Sequence, residues 1–510
     1  MSHLVIAPIL FPLFAATLLL LLRRVMSLQS RRRLNLAALA IQILLVTLLA
    51  THVGGGEILV YRLGDWPAPY GIVLVADRLS LWMLLITSLL AFFAMLYAVR
   101  GTDAGSRHFH PLFQLQIFGL SGAFLTGDLF NLFVFFEILL LASYGLLLHR
   151  GGAPRTRAGL HFVAINLAGS TLFLFAVGTL YAILGTLNMA DLALKVAATP
   201  PENLGVVRAA GLLLFGVFAL KAALVPLYLW LPAAYASTSA PVAALFAIMT
   251  KVGAYSILRI YTLIFGAEAG PVADLVSPWL LPLALLTMAI GTLGVLAAHA
   301  LRRQVAYLVV VSVGLLLTAF GLGTQASIGA GLYYLAHTTF ATAAFFLLAD
   351  VITLGRGGLR DRLDPGPVIP NANLVGGLFF VTAILVAGLP PFSGFLGKYM
   401  VLRAAVETPS MPWVLAIVLS AGLLGVVALA RSGSLLFYRA EGTLERAGTT
   451  TRAPVGPNWG RLWPIMGLLL LCLALVVLAG PIADYTDATA EQILRPSGYI
   501  QAVLGGPSAG

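Results

Sequence analysis

Long apolar runs alternate with short polar connections along almost the whole chain. The runs are continuous and approach the ~20 residues that an α-helix needs to cross a bilayer. Strands of a membrane β-barrel would be closer to ~10 residues, with every second side chain polar. The pattern therefore predicts an all-α polytopic membrane protein with about fourteen transmembrane helices. The predicted segments are 4–22, 35–52, 76–99, 112–127, 130–148, 160–184, 208–231, 242–265, 278–299, 302–322, 327–353, 373–405, 411–438 and 462–481.

Composition agrees with this class and excludes several kinds of site. Of the 510 residues, 60% are hydrophobic and 10% are charged, against about 25% charged residues in soluble proteins. Cys472 is the one cysteine, which excludes an intramolecular disulfide and disfavours a cysteine metal centre. The sequence contains no P-loop and no dinucleotide fingerprint. With these motifs missing, we expect no cofactor and no metal. We also expect no nucleic acid partner, because the charges that give the net +11 lie in short loops between apolar segments.

The basic residues predict the orientation of the chain. Twenty arginines lie in the connections after odd-numbered segments, and about six basic residues lie in those on the other side. Cytoplasmic loops carry the excess of Lys and Arg. The arginine-rich loops are therefore predicted to be cytoplasmic and both termini to lie outside. The first apolar run is predicted to be a retained helix, because no basic region precedes it.

Three of the four lysines lie inside apolar segments: Lys221, Lys251 and Lys398. A charged side chain at the centre of a bilayer costs about 2.5–3.5 kcal/mol on insertion scales, so such residues are rare and usually functional. Lysine changes its protonation state readily when buried, whereas arginine does not. The three lysines are therefore predicted to handle charge within the membrane.

Glu137 is the acidic residue placed deepest in a predicted helix. It lies about eight residues into its segment, or roughly 12 Å at 1.5 Å per residue. Lys221, counted from the outer end of its own segment, reaches a similar depth. The two are therefore candidates for an ion pair with coupled titration. A purely structural pair is the alternative. Buried pairs are often no more stable than apolar substitutes, which favours a functional reason for this one.

Prolines predict two interrupted helices. Pro226 follows Lys221 by five residues, and Pro390 and Pro391 precede Lys398. Proline breaks a helix, and broken helices at membrane depth line cavities or are buried in protein. Interruptions at corresponding positions of two halves indicate the pathway of a transporter. The chain is thus divided into 1–111, a first repeat at 112–265, a second repeat at 278–438, and 439–510.

Other polar residues are candidates for supporting roles. His337 lies in the middle of segment 327–353 and can relay a proton near neutral pH, but a lone histidine is as often structural, and the sequence leaves both open. Asp128 lies near the outer end of segment 130–148. Arg259 lies near the outer end of 242–265, where anchoring by snorkelling to the surface is favoured. The candidate partners in a chain of waters are Ser312, Thr338 and Thr342.

Four motifs in order resemble those of the antiporter-like membrane subunits shared by respiratory complex I, membrane-bound hydrogenases and Mrp-type cation/proton antiporters. They are GDLFNLFVFFE, LKAALVPLYLWLP, TKVGAYSILR and GLPPFSGFLGK. The resemblance covers nearly the whole chain and is closest to the D subunits of Mrp-type antiporters. It implies fourteen helices, two inverted five-helix repeats, and discontinuous helices 7 and 12.

The resemblance also implies residue roles and partners. Glu137 matches the glutamate that pairs with the helix-7 lysine, here Lys221. Lys251 and Lys398 match the lysines of helices 8 and 12. The partners it implies are A, B, C, E, F and G subunits in one membrane complex, together with protons and Na⁺ or K⁺.

Departures from the family pattern distinguish the subfamilies. The segment after helix 7 reads WLPAAY, with Ala233 and Tyr235 where complex I relatives usually have Asp and His. Ala341 and Ser312 stand where many relatives have a lysine and a histidine, which leaves the proton route between Lys251 and Lys398 undetermined.

The predicted function is that of a proton-translocating subunit of a multisubunit Na⁺ or K⁺/proton antiporter, driven by the proton-motive force and serving pH and cation homeostasis. This is a secondary transporter subunit and not an enzyme. One alternative is a pump module of a redox complex of the complex I or hydrogenase type. Another is a structural subunit without transport, which the buried lysines and glutamate disfavour.

Overall fold

The computed structural model describes residues 3–439, 456 and 458–505. Arg446 and Arg452, two of the arginines counted for orientation, lie outside this part. The described residues form α-helices and one antiparallel pair of strands, β1 (Leu59–Arg62) and β2 (Val73–Ala76). The helices are α1 (His3–Leu21), α2 (Leu28–Val53), α3 (Arg78–Ala98), α4 (Phe109–Leu125), α5 (Leu129–Leu147), α6 (Ala153–Leu184), α7 (Met189–Ala197), α8 (Leu204–Ala222), α9 (Trp230–Ser237), α10 (Ala240–Phe246), α11 (Met249–Leu263), α12 (Ser277–Ala297), α13 (Leu301–Gly321), α14 (Gln325–Gly355), α15 (Ala372–Ala387), α16 (Ser393–Val406), α17 (Met411–Gly433), α18 (Trp459–Val477), α19 (Ala479–Leu494) and α20 (Pro496–Leu504).

The all-helical membrane architecture predicted from the hydropathy pattern is confirmed. Helices overlap each of the fourteen predicted segments, and twelve stretches of the described chain are long and apolar enough to cross a membrane. Two segments fall short of that length. The fourth segment forms the 17-residue helix α4, and the twelfth is divided between α15 and α16. The sequence pattern did not predict the strand pair or the division between α10 and α11.

The centre of the molecule is formed by α11, α13 and α14, whose side chains are buried almost all round. Helix α14 packs against α10, α13, α15, α16, α18 and α19. By contrast, α6, α17 and α18 leave apolar side chains exposed along one face. A helix that is apolar on all sides belongs in a core or in lipid. The buried helices carry Lys251, Ser312 and His337 into the centre.

A proline in the first helix shows how polar side chains replace lost backbone bonds. Pro12 has no N–H, so the carbonyl of Pro8 has no partner within α1. Gln42 on α2 donates its Nε2–H to this carbonyl at 2.9 Å. The same amide donates to Ser121 Oγ on α4 at 3.3 Å, which ties three helices together.

The first predicted interruption separates α8 from α9. Ala223 takes a left-handed conformation (φ 61°) after the last residue of α8, and Pro226 lies in the non-helical stretch that follows. Leu224 N–H still bonds back to the Ala219 carbonyl at 2.9 Å, which closes the helix end.

Other helices satisfy the backbone groups that this break opens. Val225 N–H donates to Thr287 Oγ1 on α12 at 2.9 Å. Trp230 Nε1–H, at the start of α9, donates to the Leu220 carbonyl at 3.1 Å. Unpaired backbone groups are costly away from water. The break is therefore held by protein contacts.

The second predicted interruption separates α15 from α16. Gly388, with φ 79°, ends α15 in the left-handed conformation that glycine adopts without strain. Pro390 and Pro391 lie in the gap, and α16 begins at Ser393. Both interruptions predicted from proline are thus present. Each has a lysine within one or two turns, Lys221 buried and Lys398 half-buried.

Candidate functional site

Lys221 lies in the last turn of α8 and is 5% exposed. Its Nζ donates to the side-chain Oδ1 of Asn166 on α6 at 3.1 Å, and the backbone carbonyl of Asn166 lies 3.5 Å away. Asn166 Nδ2 donates to the Phe162 carbonyl at 2.8 Å. An ammonium group has three donors and no acceptor. A neutral amide is therefore the direct partner of this lysine.

Glu137 lies on α5 and is half-buried. Its Oε1 is buried and has no hydrogen-bond partner among the described residues. The ion pairs of the described chain do not include Glu137 with Lys221. Glu137 nevertheless lies close enough to Lys221 for charges on the two groups to interact. The two groups predicted to pair are therefore neighbours without direct contact in this structure.

Lys251 on α11 is fully buried. Its Nζ donates to Ser312 Oγ on α13 at 3.4 Å, and this hydroxyl donates to the Val309 carbonyl at 2.7 Å. Ser312 was predicted as a partner in a water chain. The structure brings it beside the lysine.

A small cavity of about 30 Å³ lies on the other side of Ser312. A space of this size holds about one water molecule, provided that polar groups line it. Its lining includes five of the predicted residues: Ser312, His337, Thr338, Thr342 and Lys398. These residues come from α13, α14 and α16. The sequence alone did not show that they share one cavity.

Lys398 and His337 both contact the second helix break. Lys398 Nζ donates to the carbonyl of Ala387, the last residue of α15, at 2.6 Å. His337 Nδ1 is 2.9 Å from Ser393 Oγ at the start of α16. A cation at a helix C-terminus is favoured by the carbonyls that have no helical partner there. The break thus supplies Lys398 with a neutral acceptor.

Glycine at position 394 permits this close packing. A Cβ atom there would lie 2.1 Å from the Leu385 carbonyl oxygen and 2.9 Å from His337 Nε2. In the first half, a Cβ at Gly253 on α11 would lie 2.4 Å from the Ala222 backbone nitrogen. Backbone and side chains therefore meet at van der Waals distance beside both breaks.

Arg259 does not snorkel to the surface as predicted. It is 6% exposed and forms a buried ion pair with Asp77, with NH1 2.6 Å from Oδ2. Burial opposes ionisation of Asp77, but the Arg259 guanidinium and Ser80 outweigh it and hold the pKa of this carboxyl below its usual value. The pair joins α11 to the start of α3. Sequence reasoning missed Asp77 because the two residues are far apart in the chain.

Asp128 caps a helix and is placed away from the lysines. Its Oδ1 accepts the Asn131 N–H at 2.8 Å, which satisfies one of the free donors at the start of α5. Burial raises the pKa of Asp128 to about 6, although two backbone N–H groups act in the opposite direction. Its observed contacts are those of an N-cap.

The comparisons with known proteins agree on one family. The model described as "NADH:quinone oxidoreductase/Mrp antiporter, TM" matches residues 126–425. A probable D subunit of a K⁺/H⁺ antiporter from Rhizobium meliloti is 40% identical over 100% of this chain and 99% of its own length. The D subunit of a Na⁺/H⁺ antiporter from Alkalihalophilus pseudofirmus is 37% identical over 99% of this chain and 100% of its own.

Solved structures show the same fold. A chain of the Mrp complex from Dietzia sp. matches with a TM-score of 0.86 and 29% identity, covering 99% of this chain and 100% of that one. A chain of respiratory complex I from Thermus thermophilus, 24% identical, matches with a TM-score of 0.77 over 96% of this chain and 99% of its own. The chain belongs to the NADH:quinone oxidoreductase/Mrp antiporter family of transmembrane subunits.

Proposed function

We propose that this chain is the proton-translocating D subunit of a multisubunit Na⁺ or K⁺/proton antiporter in a bacterial cytoplasmic membrane. It exchanges cytoplasmic cations for external protons and takes its energy from the proton-motive force. Relatives 37–40% identical over nearly the whole chain are named as antiporter D subunits. The proposed partners are the A, B, C, E, F and G subunits. The arginine-rich loops face the cytoplasm and both termini face outward.

The observation that carries the proposal is a set of basic residues inside the helical bundle, of which the second and third lie on either side of shared polar groups. Lys251 donates to Ser312, and Ser312 lines the cavity that also contains His337 and Lys398. Each of the three lysines has a neutral acceptor as its direct partner, which permits gain and loss of a proton. Proton transfer needs donors and acceptors about 2.6–3.2 Å apart or one intervening water. The 3.4 Å between Lys251 Nζ and Ser312 Oγ is slightly longer, so this step needs a small approach of the two groups.

We assign roles along this line. Glu137 and Lys221 form the entry pair, Lys251 passes the proton laterally, and Lys398 is the exchange end. Ala341 removes the lysine that many relatives have in helix 11. The cavity beside Ser312, Thr338 and Thr342 has room for a water molecule that completes the route. His337 stands at the Lys398 end of this cavity.

The proposed repeats are 112–265 and 278–438. Each contains one of the two broken helices and one or two of the three lysines of the apolar segments. The comparison rests on position alone, because the two segments show no clear sequence identity. In this proposal, 1–111 and 439–510 flank the repeats.

Everted membrane vesicles from an antiporter-deficient host test the function. The vesicles carry the whole complex, respiration sets up a proton gradient, and a pH-sensitive dye reports its collapse when Na⁺ or K⁺ is added. We expect a collapse that depends on the cation and is lost in Lys221→Ala. Lys195→Ala is the matched control, because Lys195 lies half-exposed in an ion pair with Asp191 on α7.

A redox-driven pump of the complex I type is the alternative. The altered WLPAAY segment disfavours it. If the assembled wild-type complex shows no cation response, the antiporter proposal fails. An electron donor would then be sought.

A further inference from the structure

In this structure Lys221 contacts the amide of Asn166. The carboxylate of Glu137 is a second possible partner nearby, which it does not contact. We propose that Asn166 is a positioning residue that holds Lys221 away from Glu137, so that the lysine alternates between the two during transport. The inference rests on the proposed function for its role in turnover. The geometry that supports it is independent of that role.

The orientation of the Asn166 side chain is fixed. Its Nδ2 donates to the Phe162 carbonyl at 2.8 Å, so its Oδ1 is the atom that accepts from Lys221 at 3.1 Å. Reversing the amide would place two donors against an ammonium, which has no acceptor. Asn166 is 1% exposed, so water does not compete freely for the lysine.

Helix α6 is shaped to receive the lysine. Gly169 packs against the end of α8, where a Cβ would lie 2.5 Å from Leu220 Cδ2 and 3.9 Å from Lys221 Cε. Ser170 lies one turn after Asn166 on the same face of α6. Its Oγ is buried and has no partner in the described chain. The face of α6 at this level therefore carries two neutral polar groups, of which Asn166 contacts Lys221.

Glu137 is the group left without a partner. Its Oε1 is buried and unbonded within residues 3–439 and 458–505, while Lys221 is bound to Asn166. A carboxylate oxygen buried without a partner disfavours the ionised form of the group. If Lys221 moved to Glu137, Asn166 Oδ1 would lose its donor instead. Either position leaves one acceptor unsatisfied, so neither position of Lys221 satisfies both acceptors at once.

In this proposal Lys221 moves by rotation of its side chain, and no covalent bond changes. While Lys221 is bound to Asn166, no positive charge contacts Glu137, and binding of a proton by Glu137 is favoured. While Lys221 is on Glu137, the carboxylate is held ionised by an opposite charge. Asn166 thus determines how often Glu137 is free to accept a proton.

The test is infrared difference spectroscopy of the purified whole complex. The protonated carboxyl band of Glu137 is identified by its loss in Glu137→Gln. In Asn166→Leu, Lys221 loses its neutral partner and pairs with Glu137, so the ratio of protonated to ionised Glu137 falls about tenfold at a given pH. In Asn166→Asp, the new carboxylate retains the lysine, and the ratio rises.

A structural role for Asn166 would not produce these opposite changes. An unchanged or larger band in Asn166→Leu overturns the inference, and so does a decrease in Asn166→Asp. Thr171→Val is the control, since Thr171 lies on the exposed face of α6 and bonds only to its own helix. The band is measured on assembled complex. Asn166→Leu and Asn166→Asp test the inference independently, so either one that assembles decides it.

Exchange in vesicles links the inference to transport. We expect Asn166→Leu to slow cation-dependent exchange about tenfold, the effect of one charge-assisted hydrogen bond, and to shift its pH profile. If the wild-type complex exchanges no cation, the proposed function fails, while the infrared result still decides whether Asn166 positions Lys221. If exchange is present and the band does not change, only the inference on Asn166 fails.

Discussion

The two broken helices end in the same backbone conformation but carry their lysines on opposite sides of the gap. Both end in a left-handed residue, and both are followed by proline. At the first break the lysine precedes the gap, on the last turn of α8. At the second break the lysine follows the gap, on α16, and reaches back to the carbonyl at the end of α15.

The partners of the two lysines differ accordingly. Lys221 takes a side-chain amide, Asn166, and has a carboxylate nearby. Lys398 takes a backbone carbonyl and has a histidine nearby. A side-chain partner can be exchanged for another by rotation, whereas a carbonyl at a helix end is fixed. In the proposed mechanism, Lys221 is therefore the lysine that changes partner, whereas Lys398 gains and loses its proton while it stays at the end of α15.

The largest expected effect comes from filling the close approach at the second break. In Gly394→Ala, the new Cβ would overlap the Leu385 carbonyl, which belongs to the backbone and cannot rotate away. Overpacking of this kind costs about 1–3 kcal/mol or more. We expect loss of exchange and less assembled complex on a native gel.

Gly377→Ala on α15 is the control for this substitution, because a Cβ at Gly377 would have no neighbouring atom within 4 Å. Wild-type exchange by Gly394→Ala would show that the break is not tightly packed around His337.

A second effect concerns the conformation that ends α15. In Gly388→Ala, the left-handed backbone costs about 1–2 kcal/mol, and the Cβ would lie 2.6 Å from Lys398 Cδ and 2.9 Å from its Nζ. Lys398 would be displaced from the Ala387 carbonyl. We expect exchange in vesicles to fall about tenfold, the factor for ~1.4 kcal/mol, with assembly retained. Unchanged exchange would mean that the position of Lys398 is not critical.

The first break depends on a hydroxyl from another helix. In Thr287→Val, Val225 N–H loses its acceptor and is left buried without a partner, at a cost of about 1–3 kcal/mol. We expect a lower melting temperature of the purified complex. Thr292→Val on the same helix should change it little, because Thr292 bonds only to Met288 within α12. Equal melting temperatures for the two variants would contradict the role of Thr287.

The smallest effect tests the left-handed residue of the first break. Ala223 has φ 61°, a conformation that favours glycine. In Ala223→Gly, relief of strain of about 1–2 kcal/mol is partly offset by the greater freedom of glycine in the unfolded chain, about 0.5–1 kcal/mol. We expect a slightly higher melting temperature and unchanged exchange. A lower melting temperature would show that the Ala223 methyl group contributes more by packing than its backbone costs.

The sequence predicted the helical architecture and both breaks because proline and hydrophobic length act locally. Pro226 and the Pro390–Pro391 pair cannot donate a backbone hydrogen bond, so a regular helix is interrupted there. The left-handed residue at the first break was not predicted, because alanine carries no signal for that conformation.

The contacts between helices were not predictable in the same way. Asn166 is one amide in an apolar run, and its bond to Lys221 depends on the packing of α6 against α8 at Gly169. The pairing of Arg259 with Asp77 also depends on tertiary structure, which brings α11 to the start of α3. Sequence identified which residues carry charge in the membrane but not which neutral groups they contact.

Exchange by a Lys398→Ala complex tests the central claim most directly, because it asks whether the second break belongs to the same pathway as the first. Purified complexes with Lys221→Ala or Lys398→Ala are reconstituted in liposomes with an imposed pH gradient, and radiolabelled Na⁺ or K⁺ uptake is measured. We predict that both variants assemble and that both lose cation uptake. Uptake at the wild-type rate by Lys398→Ala, alongside its loss in Lys221→Ala, would contradict a single route joining the two breaks.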